Sequence, residues 1–150
     1  MILLLDEQLD SPDMVVARSL DILGIAHDCS FRSLRTESPG LKDPDIPRYC
    51  RDERIDVLIS ANFHDFGAKL ALYEALLAAG VSVVALRPQA KQSLRVEQQA
   101  SVLAKHLRVT ARFLHEAAPE CVLLRVNESS VVRRTLEELR DEITGEGKLP

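Results

Sequence analysis

Short strand-like segments alternate along this chain with segments of helical periodicity. The apolar runs of the strand-like segments lack the polar and apolar alternation of a half-exposed strand, which indicates strands that are covered on both faces. We predict strands at residues 3–5, 25–31, 57–59, 81–86 and 121–126. We predict helices at residues 11–24, 46–53, 68–79, 92–117 and 129–143. This order predicts an α/β protein with a mostly parallel central sheet of about five strands, flanked by helices.

Prolines and polar segments set the predicted boundaries of the helices and of the domain. Pro44 and Pro47 confine the second helix to a start at or after Asp43, because proline is tolerated in the first turn of a helix and not inside it. Residues 32–42 are predicted as a polar loop, and the long segment 92–117 has a possible break at residues 108–110. We expect one domain at residues 1–143 and a flexible C-terminal tail at residues 144–150.

Composition and charge limit the classes of protein to which this chain is expected to belong. A length of 150 residues fits one domain, and the formal net charge of −4 weighs mildly against non-specific binding of nucleic acid. The N-terminal apolar run has no basic segment before it and meets Asp6, so it is predicted to be neither a signal peptide nor a membrane span. Three cysteines without a CxxC pair favour reduced thiols in a cytoplasmic protein that has no membrane partner.

Three acidic residues follow strands or open helices. Asp6 follows the first predicted strand, Asp43 precedes the second helix, and Asp65 lies just after the third strand. If the strands are parallel neighbours, these acids gather at one sheet edge, where a cation must offset their repulsion. Hard oxygen ligands select Mg²⁺ or Mn²⁺, and the matching chemistry is phosphodiester hydrolysis. Each acid also has a simpler explanation, as the end of a strand or the cap of a helix.

The order and spacing of these acids resemble the PIN-domain ribonucleases. The resemblance rests on the segment Leu-Leu-Leu-Asp-Glu-Gln-Leu at residues 3–9, on Asp43, and on the motif Ser-x-Asn-x-x-Asp-Phe at residues 60–66. It covers roughly residues 1–90 and is closest to small bacterial PIN-like proteins, including VapC-type toxins. It implies a single-domain, three-layer fold and a ribonuclease with Mg²⁺ or Mn²⁺ at Asp6, Asp43 and Asp65. Ser60 and Asn62 would support that site.

The sequence departs from the PIN pattern in one respect. Many classical members carry a further acid in a helix, whereas the loop at residues 32–42 offers only Glu37; Glu7 is a second possible substitute. Asp45 is an alternative to Asp43 as a ligand. The missing acid favours a rival interpretation, a non-catalytic binding or regulatory module of the same fold. A phosphoacceptor receiver domain fits less well, because Ser60, and not an aspartate, ends the third strand.

Basic residues near the acids are candidates for contact with RNA. Arg48, Arg51 and Arg54 are spaced three apart on the short second helix, and Lys69 follows Asp65 by four positions. His64 is interpreted as an exposed loop residue, because hydrolysis by two metal ions needs no protein base. As a toxin, the protein would have an antitoxin protein as its partner. The helix at residues 92–117 is a possible homodimer interface.

Overall fold

The structure, a computed structural model, describes residues 1–10, 14–61, 66–87 and 96–148. Within them, one sheet of six strands is built from short apolar segments. The strands are β1 (Ile2–Leu5), β2 (Ser30–Ser33), β3 (Val57–Ala61), β4 (Ser82–Leu86), β5 (Leu123–Val126) and β6 (Val131–Arg134). Residues of β3 and β4 are buried throughout, as expected of central strands with helices on both sides.

The strand order in the sheet is β2-β1-β3-β4-β5-β6. The first five strands pair in parallel, and β6 pairs antiparallel with β5. The chain moves from β1 outward to β2 and then crosses back to the other side of β1, so the direction of winding reverses between β1 and β3. In open α/β sheets, the crevice at the carboxyl ends of two such strands is the usual place for a ligand.

Helices cover both faces of the sheet. The α-helices are α1 (Val15–Gly24), α2 (Leu34–Glu37), α3 (Ile46–Asp52), α4 (Phe66–Ala78), α5 (Val96–Lys105), α6 (Leu107–Ala117) and α7 (Leu136–Lys148). Alternate residues of β1 face opposite ways: Leu3 and Leu5 pack with buried residues of α1, α5 and α6, and Leu4 packs with those of α3, α4 and α7. Each face therefore has its own aliphatic core.

Two predicted elements are wrong near the start of the chain. Residues 25–31 were expected to form one strand, but Ile25–His27 is a short 3-10 helix and the strand is Ser30–Ser33. Asp28 adopts a left-handed conformation (φ 54°) that ends the 3-10 helix, and Ile25 is 77% exposed. Because of the tight turn at Asp28, the strand begins at Ser30 and not at Ile25. The loop predicted at residues 32–42 contains the helix Leu34–Glu37.

The C-terminal third also departs from the prediction. The segment expected to be a helix at residues 129–143 begins with β6, whose residues 131–134 pair with β5, and the helix runs over Leu136–Lys148. Asn127 produces the turn between β5 and β6, because its Oδ1 accepts hydrogen bonds from the backbone N–H groups of Ser129 and Ser130, both at 2.9 Å. The sheet therefore has six strands, and the helix extends beyond its predicted end.

The long predicted helix at residues 92–117 is divided. Its break lies at His106, between α5 and α6, slightly before the expected break at residues 108–110. Residues 92–95 lie outside the described part of the chain. None of the helices in the described ranges combines the length and the apolar character that crossing a membrane requires.

Candidate functional site

Asp6 lies directly after β1, at the edge where the winding reverses. Its backbone N–H donates to the carbonyl of Ile59 in β3 at 2.9 Å, which ties the two strands together. The residue is 4% exposed, and Oδ1 accepts from the backbone N–H of Glu7 at 2.8 Å. Asp6 thus ends β1 and also caps the 3-10 helix Glu7–Leu9. The other oxygen, Oδ2, points toward α4.

Asp43 reaches the same place from a different element. It begins the 3-10 helix Asp43–Asp45, which leads directly into α3, and its side chain is 38% exposed. Of the two acids considered for this position, Asp43 faces α4, whereas Asp45 is exposed to solvent. The structure therefore favours Asp43 as the second acid of the site.

Lys69 of α4 joins the two acids. Its Nζ lies 3.4 Å from Asp6 Oδ2 and 3.4 Å from Asp43, and only 9% of its side chain is exposed. Charge-assisted hydrogen bonds of this type are usually about 2.7–2.9 Å long, so the ammonium is held between the carboxylates without a tight bond to either. Two carboxylates and one ammonium carry a formal charge of −1, which leaves the group short of one positive charge.

A buried hydrogen bond between two hydroxyl groups lies near this cluster. The Tyr73 hydroxyl of α4 donates to Ser60 Oγ of β3 at 3.0 Å, and Tyr73 follows Lys69 by one helical turn. The pKa of Tyr73 is raised to about 12, mainly by burial; the hydrogen bond to Ser60 lowers it, and the charges of Asp6 and Asp43 contribute to the rise. Ser60 is fully buried and already bonded. It therefore holds Tyr73 in place and is not accessible as a phosphoacceptor.

Cys50 of α3 packs in the same core. The side chain is fully buried, and burial, with a further contribution from the charge of Asp6, raises the pKa of its thiol to about 12. The thiol stays protonated at neutral pH. Cys50 is therefore a packing residue and not a nucleophile.

The two substitutes for the further PIN acid have other roles. Glu37 accepts hydrogen bonds from Arg32 Nε at 2.7 Å and Nη2 at 2.6 Å, and from the Tyr49 hydroxyl at 2.5 Å. Those from Arg32, followed by that from Tyr49, lower the pKa of Glu37. Glu7 Oε1 accepts from the backbone N–H of Gly40 at 3.0 Å. Both carboxylates hold the α2 region together and do not join Asp6 and Asp43.

The tyrosines supply a test of this environment that needs no substrate. The chain has two tyrosines, and burial is the main cause that raises the pKa of both Tyr49 and Tyr73 from 10.0 to about 12. A raised folded pKa means that the folded protein holds the phenolic proton more tightly than the unfolded chain. The resulting stabilisation is complete below pH 10 and is lost as the pH rises toward 12.

We expect an alkaline titration of the folded protein to show no tyrosinate absorbance near pH 10 and a rise near pH 12. In denaturant, both tyrosines should ionise near their ordinary value. Tyr73→Phe serves as the control, since it leaves Tyr49 as the remaining signal. Half of the signal ionising near pH 10 in the folded wild type, and absent from Tyr73→Phe, would contradict the burial of Tyr73.

Arg48 and Arg51 lie on α3 and are exposed. Together with Pro44, Pro47 and alanines of α4 they line an open cleft, and Pro44 directly follows Asp43 in the chain. Arg48 Nε lies 3.9 Å from Asp52 Oδ2, but both side chains are mostly in solvent, so this pair is weak. The guanidinium groups remain able to meet an anion. Lys69 differs from these arginines, because it is enclosed by the two acids.

Residues 62–65 of the PIN-like motif, which include Asn62, His64 and Asp65, lie outside the described residues. Among the residues that are described, no group of three or more histidines, cysteines or acids is arranged to hold a metal ion. The two acids that do converge nonetheless fit a hard divalent cation. Their oxygens each lie 3.4 Å from one nitrogen, and that nitrogen carries the positive charge that a metal ion would supply.

A second cleft lies at the opposite, amino-terminal edge of the sheet. It is bordered by Asp56, His115 and Cys121. Its polar groups serve the fold: Asp56 Oδ2 accepts from the backbone N–H of Ile2 at 2.8 Å, and His115 Nε2 contacts the carbonyl oxygen of His27 at 2.9 Å. The carboxylate cluster is therefore the stronger candidate.

Comparison with known proteins does not assign a family. No protein-family model matches the chain, and no curated protein shows a significant match to its sequence.

Proposed function

We propose that this protein is a PIN-like, metal-dependent ribonuclease that hydrolyses RNA phosphodiester bonds. One observation carries the proposal: Asp6 and Asp43, far apart in sequence, converge on a single buried ammonium at the point where the sheet reverses its winding. Holding two carboxylates close together is costly when one of them is buried, as Asp6 is, unless a cation offsets their charge. A site for a divalent cation accounts for both acids.

The residual charge of the cluster supports the same conclusion. Lys69 offsets one of the two carboxylates, so the group still attracts a cation. Asp6 and Asp43 would hold Mg²⁺ or Mn²⁺, and by the resemblance Asp65 would be the third acid, supported by Asn62. When bound, the metal supplies an activated water and stabilises charge on the leaving oxygen.

Basic residues at the site match an RNA substrate. Lys69 lies at the acids and is placed to offset the charge of a phosphate, while Arg48 and Arg51 line the cleft that leads away from Asp43. Phosphate contacts of this kind position a strand without reading its sequence. We assign these three residues to the binding of the RNA backbone.

A protein partner is part of this proposal. Large apolar residues of α1 and the following turn are exposed, namely Val15, Ile22, Leu23 and Ile25, at 54%, 70%, 49% and 77%. Exposed apolar clusters commonly mark contact surfaces. We assign to such a contact either the antitoxin of a cytoplasmic toxin–antitoxin pair or a second copy of this chain.

A second candidate function is a non-catalytic binding or regulatory module. Lys69 favours it, because the ammonium already supplies a positive charge to both acids. The engagement of Glu37 and Glu7 elsewhere favours it as well. In this alternative the lysine replaces the metal permanently, and the protein folds and binds its partners without divalent cations.

The experiment that separates the two functions is cleavage of a mixed RNA pool by the purified protein in Mn²⁺ or Mg²⁺. We expect cutting that requires the metal and stops when EDTA is added. A thermal melt on the same sample shows that the protein is folded. Folded protein that leaves the pool intact at every metal concentration would favour the non-catalytic module.

A further inference from the structure

Lys69 occupies the place between Asp6 and Asp43 where a cation is most favourable. Its Nζ is 3.4 Å from both carboxylates, so the two acid oxygens are less than twice that distance apart. Mg²⁺ binds its oxygen ligands at about 2.0–2.1 Å. An ion that contacts both acids would share these two carboxylates with the ammonium at short range, and like charges repel, so binding of the ion and the present position of Lys69 oppose each other.

We propose that Lys69 competes with the divalent metal for Asp6 and Asp43, and that a bound phosphate chain removes this competition by drawing Lys69 away. This inference rests on the proposed metal-dependent function and adds a regulation to it. The site would bind metal weakly when no nucleic acid is present. It would bind metal tightly once a phosphate gives the ammonium a new partner.

The contacts of Lys69 permit such a movement. Its bonds to the acids are long for an ion pair, and the lysine side chain carries its charge on a flexible four-carbon stem. Only 9% of that side chain is exposed, so the ammonium cannot simply move into the core without another anion to receive it. Asp43 is 38% exposed, which leaves one side of the cluster open for a phosphate to approach.

Thermodynamic linkage converts this arrangement into a measurable coupling. If phosphate and metal both favour the state in which Lys69 has left the acids, each must raise the affinity for the other by the same factor. Couplings between two sites commonly amount to about 5- to 150-fold. Removing the lysine charge should raise the metal affinity even when no phosphate is present. Phosphate should then raise the metal affinity no further.

The test is Mn²⁺ binding, followed by the electron paramagnetic resonance signal of the free ion. Wild type and Lys69→Met are titrated alone and with a single-stranded DNA oligonucleotide, which carries the same phosphates and is checked by gel to remain intact. Mn²⁺ binding by the oligonucleotide alone is subtracted. Arg18→Met is the matched control, since it removes the same charge from an exposed position on α1, the helix layer on the opposite face of the sheet.

We expect Lys69→Met to bind Mn²⁺ at least about tenfold more tightly than wild type without the oligonucleotide, and to gain little when it is added. Wild type and Arg18→Met should both gain about fivefold or more. Lys69→Met that binds Mn²⁺ no more tightly than wild type would overturn the competition and leave the ribonuclease proposal intact. Failure of every protein to bind Mn²⁺ would overturn the metal-dependent function itself.

A thermal melt of Lys69→Met decides whether this variant can be used. Loss of the ammonium leaves two neighbouring carboxylates without their counter-charge, so Mn²⁺ should raise its melting temperature more than that of wild type. If Lys69→Met does not fold, Lys69→Gln replaces it, because the glutamine amide still donates hydrogen bonds but carries no charge. The same affinity difference is expected from Lys69→Gln, and its absence would overturn the competition.

Discussion

Replacing Asp6 with asparagine is expected to reduce metal-dependent RNA cleavage by at least about 100-fold, the loss that even indirect partners of a metal site typically cause. The substitution removes one negative charge from the group that would hold the ion. The fold should persist, because the asparagine side-chain oxygen is able to accept the hydrogen bond from the Glu7 backbone N–H and asparagine caps helices as well as aspartate. The measurement is the initial rate of cleavage at saturating Mn²⁺, with a thermal melt of the same preparation.

The matched control is Asp45→Asn, which removes the same charge from an exposed neighbour of Asp43. We expect Asp45→Asn to cleave at nearly the wild-type rate and Asp43→Asn to lose activity as Asp6→Asn does. Equal rates for Asp6→Asn and wild type would remove the acid pair from the mechanism. A loss in Asp45→Asn as large as that in Asp43→Asn would show that the ligand is not specifically Asp43.

Truncating Ile59 to alanine is expected to lower the free energy of unfolding by about 2–5 kcal/mol. Ile59 lies in β3 with no exposed surface, packs in the core shared with α1 and α6, and pairs in register with Leu5. Truncation leaves a cavity between β3, one of the strands next to the site, and the helices that cover this face of the sheet. Urea denaturation followed by far-ultraviolet circular dichroism measures the change.

Ile22→Ala is the matched control, because it deletes the same atoms from a side chain that is 70% exposed on α1. That change should stay within about 0.5 kcal/mol of wild type, as surface substitutions usually do. If the two isoleucines cost the same, Ile59 is not in a close-packed core. A large loss at Ile22 alone would indicate that the exposed face of α1 is covered in solution by another chain.

Local pattern was sufficient for the central strands. Short, mostly apolar runs before Asp6 and Ser60, and between Gly80 and Arg87, predicted buried strands of a covered sheet, and β1, β3 and β4 lie there. Helix α4 was equally clear, because its alanines and leucines have high helix propensity and Gly80 follows it. In these segments, intrinsic preference and burial favour the same conformation.

Other segments depended on what they pack against. Residues 131–134 read as part of a helix, yet they form β6, because the exposed edge of β5 offers backbone hydrogen bonds and the turn at Asn127 brings them to it. The strand β2 begins later than expected because of the local turn at Asp28. Such outcomes depend on neighbours that a local window does not contain.

The candidate site, like the fold, could be predicted from the sequence only in part. The residue types and their order along the chain mark Asp6 and Asp43 as related, and parallel strand geometry predicts the edge at which they meet. Three contacts depend on how side chains meet across the fold. Lys69 lies between the two acids, Tyr73 donates a hydrogen bond to Ser60, and Glu37 accepts hydrogen bonds from Arg32. A lysine four positions after a motif aspartate looks like a surface residue until α4 is packed on the sheet. Charge pairing in a buried place is set by three-dimensional proximity, which linear spacing does not encode.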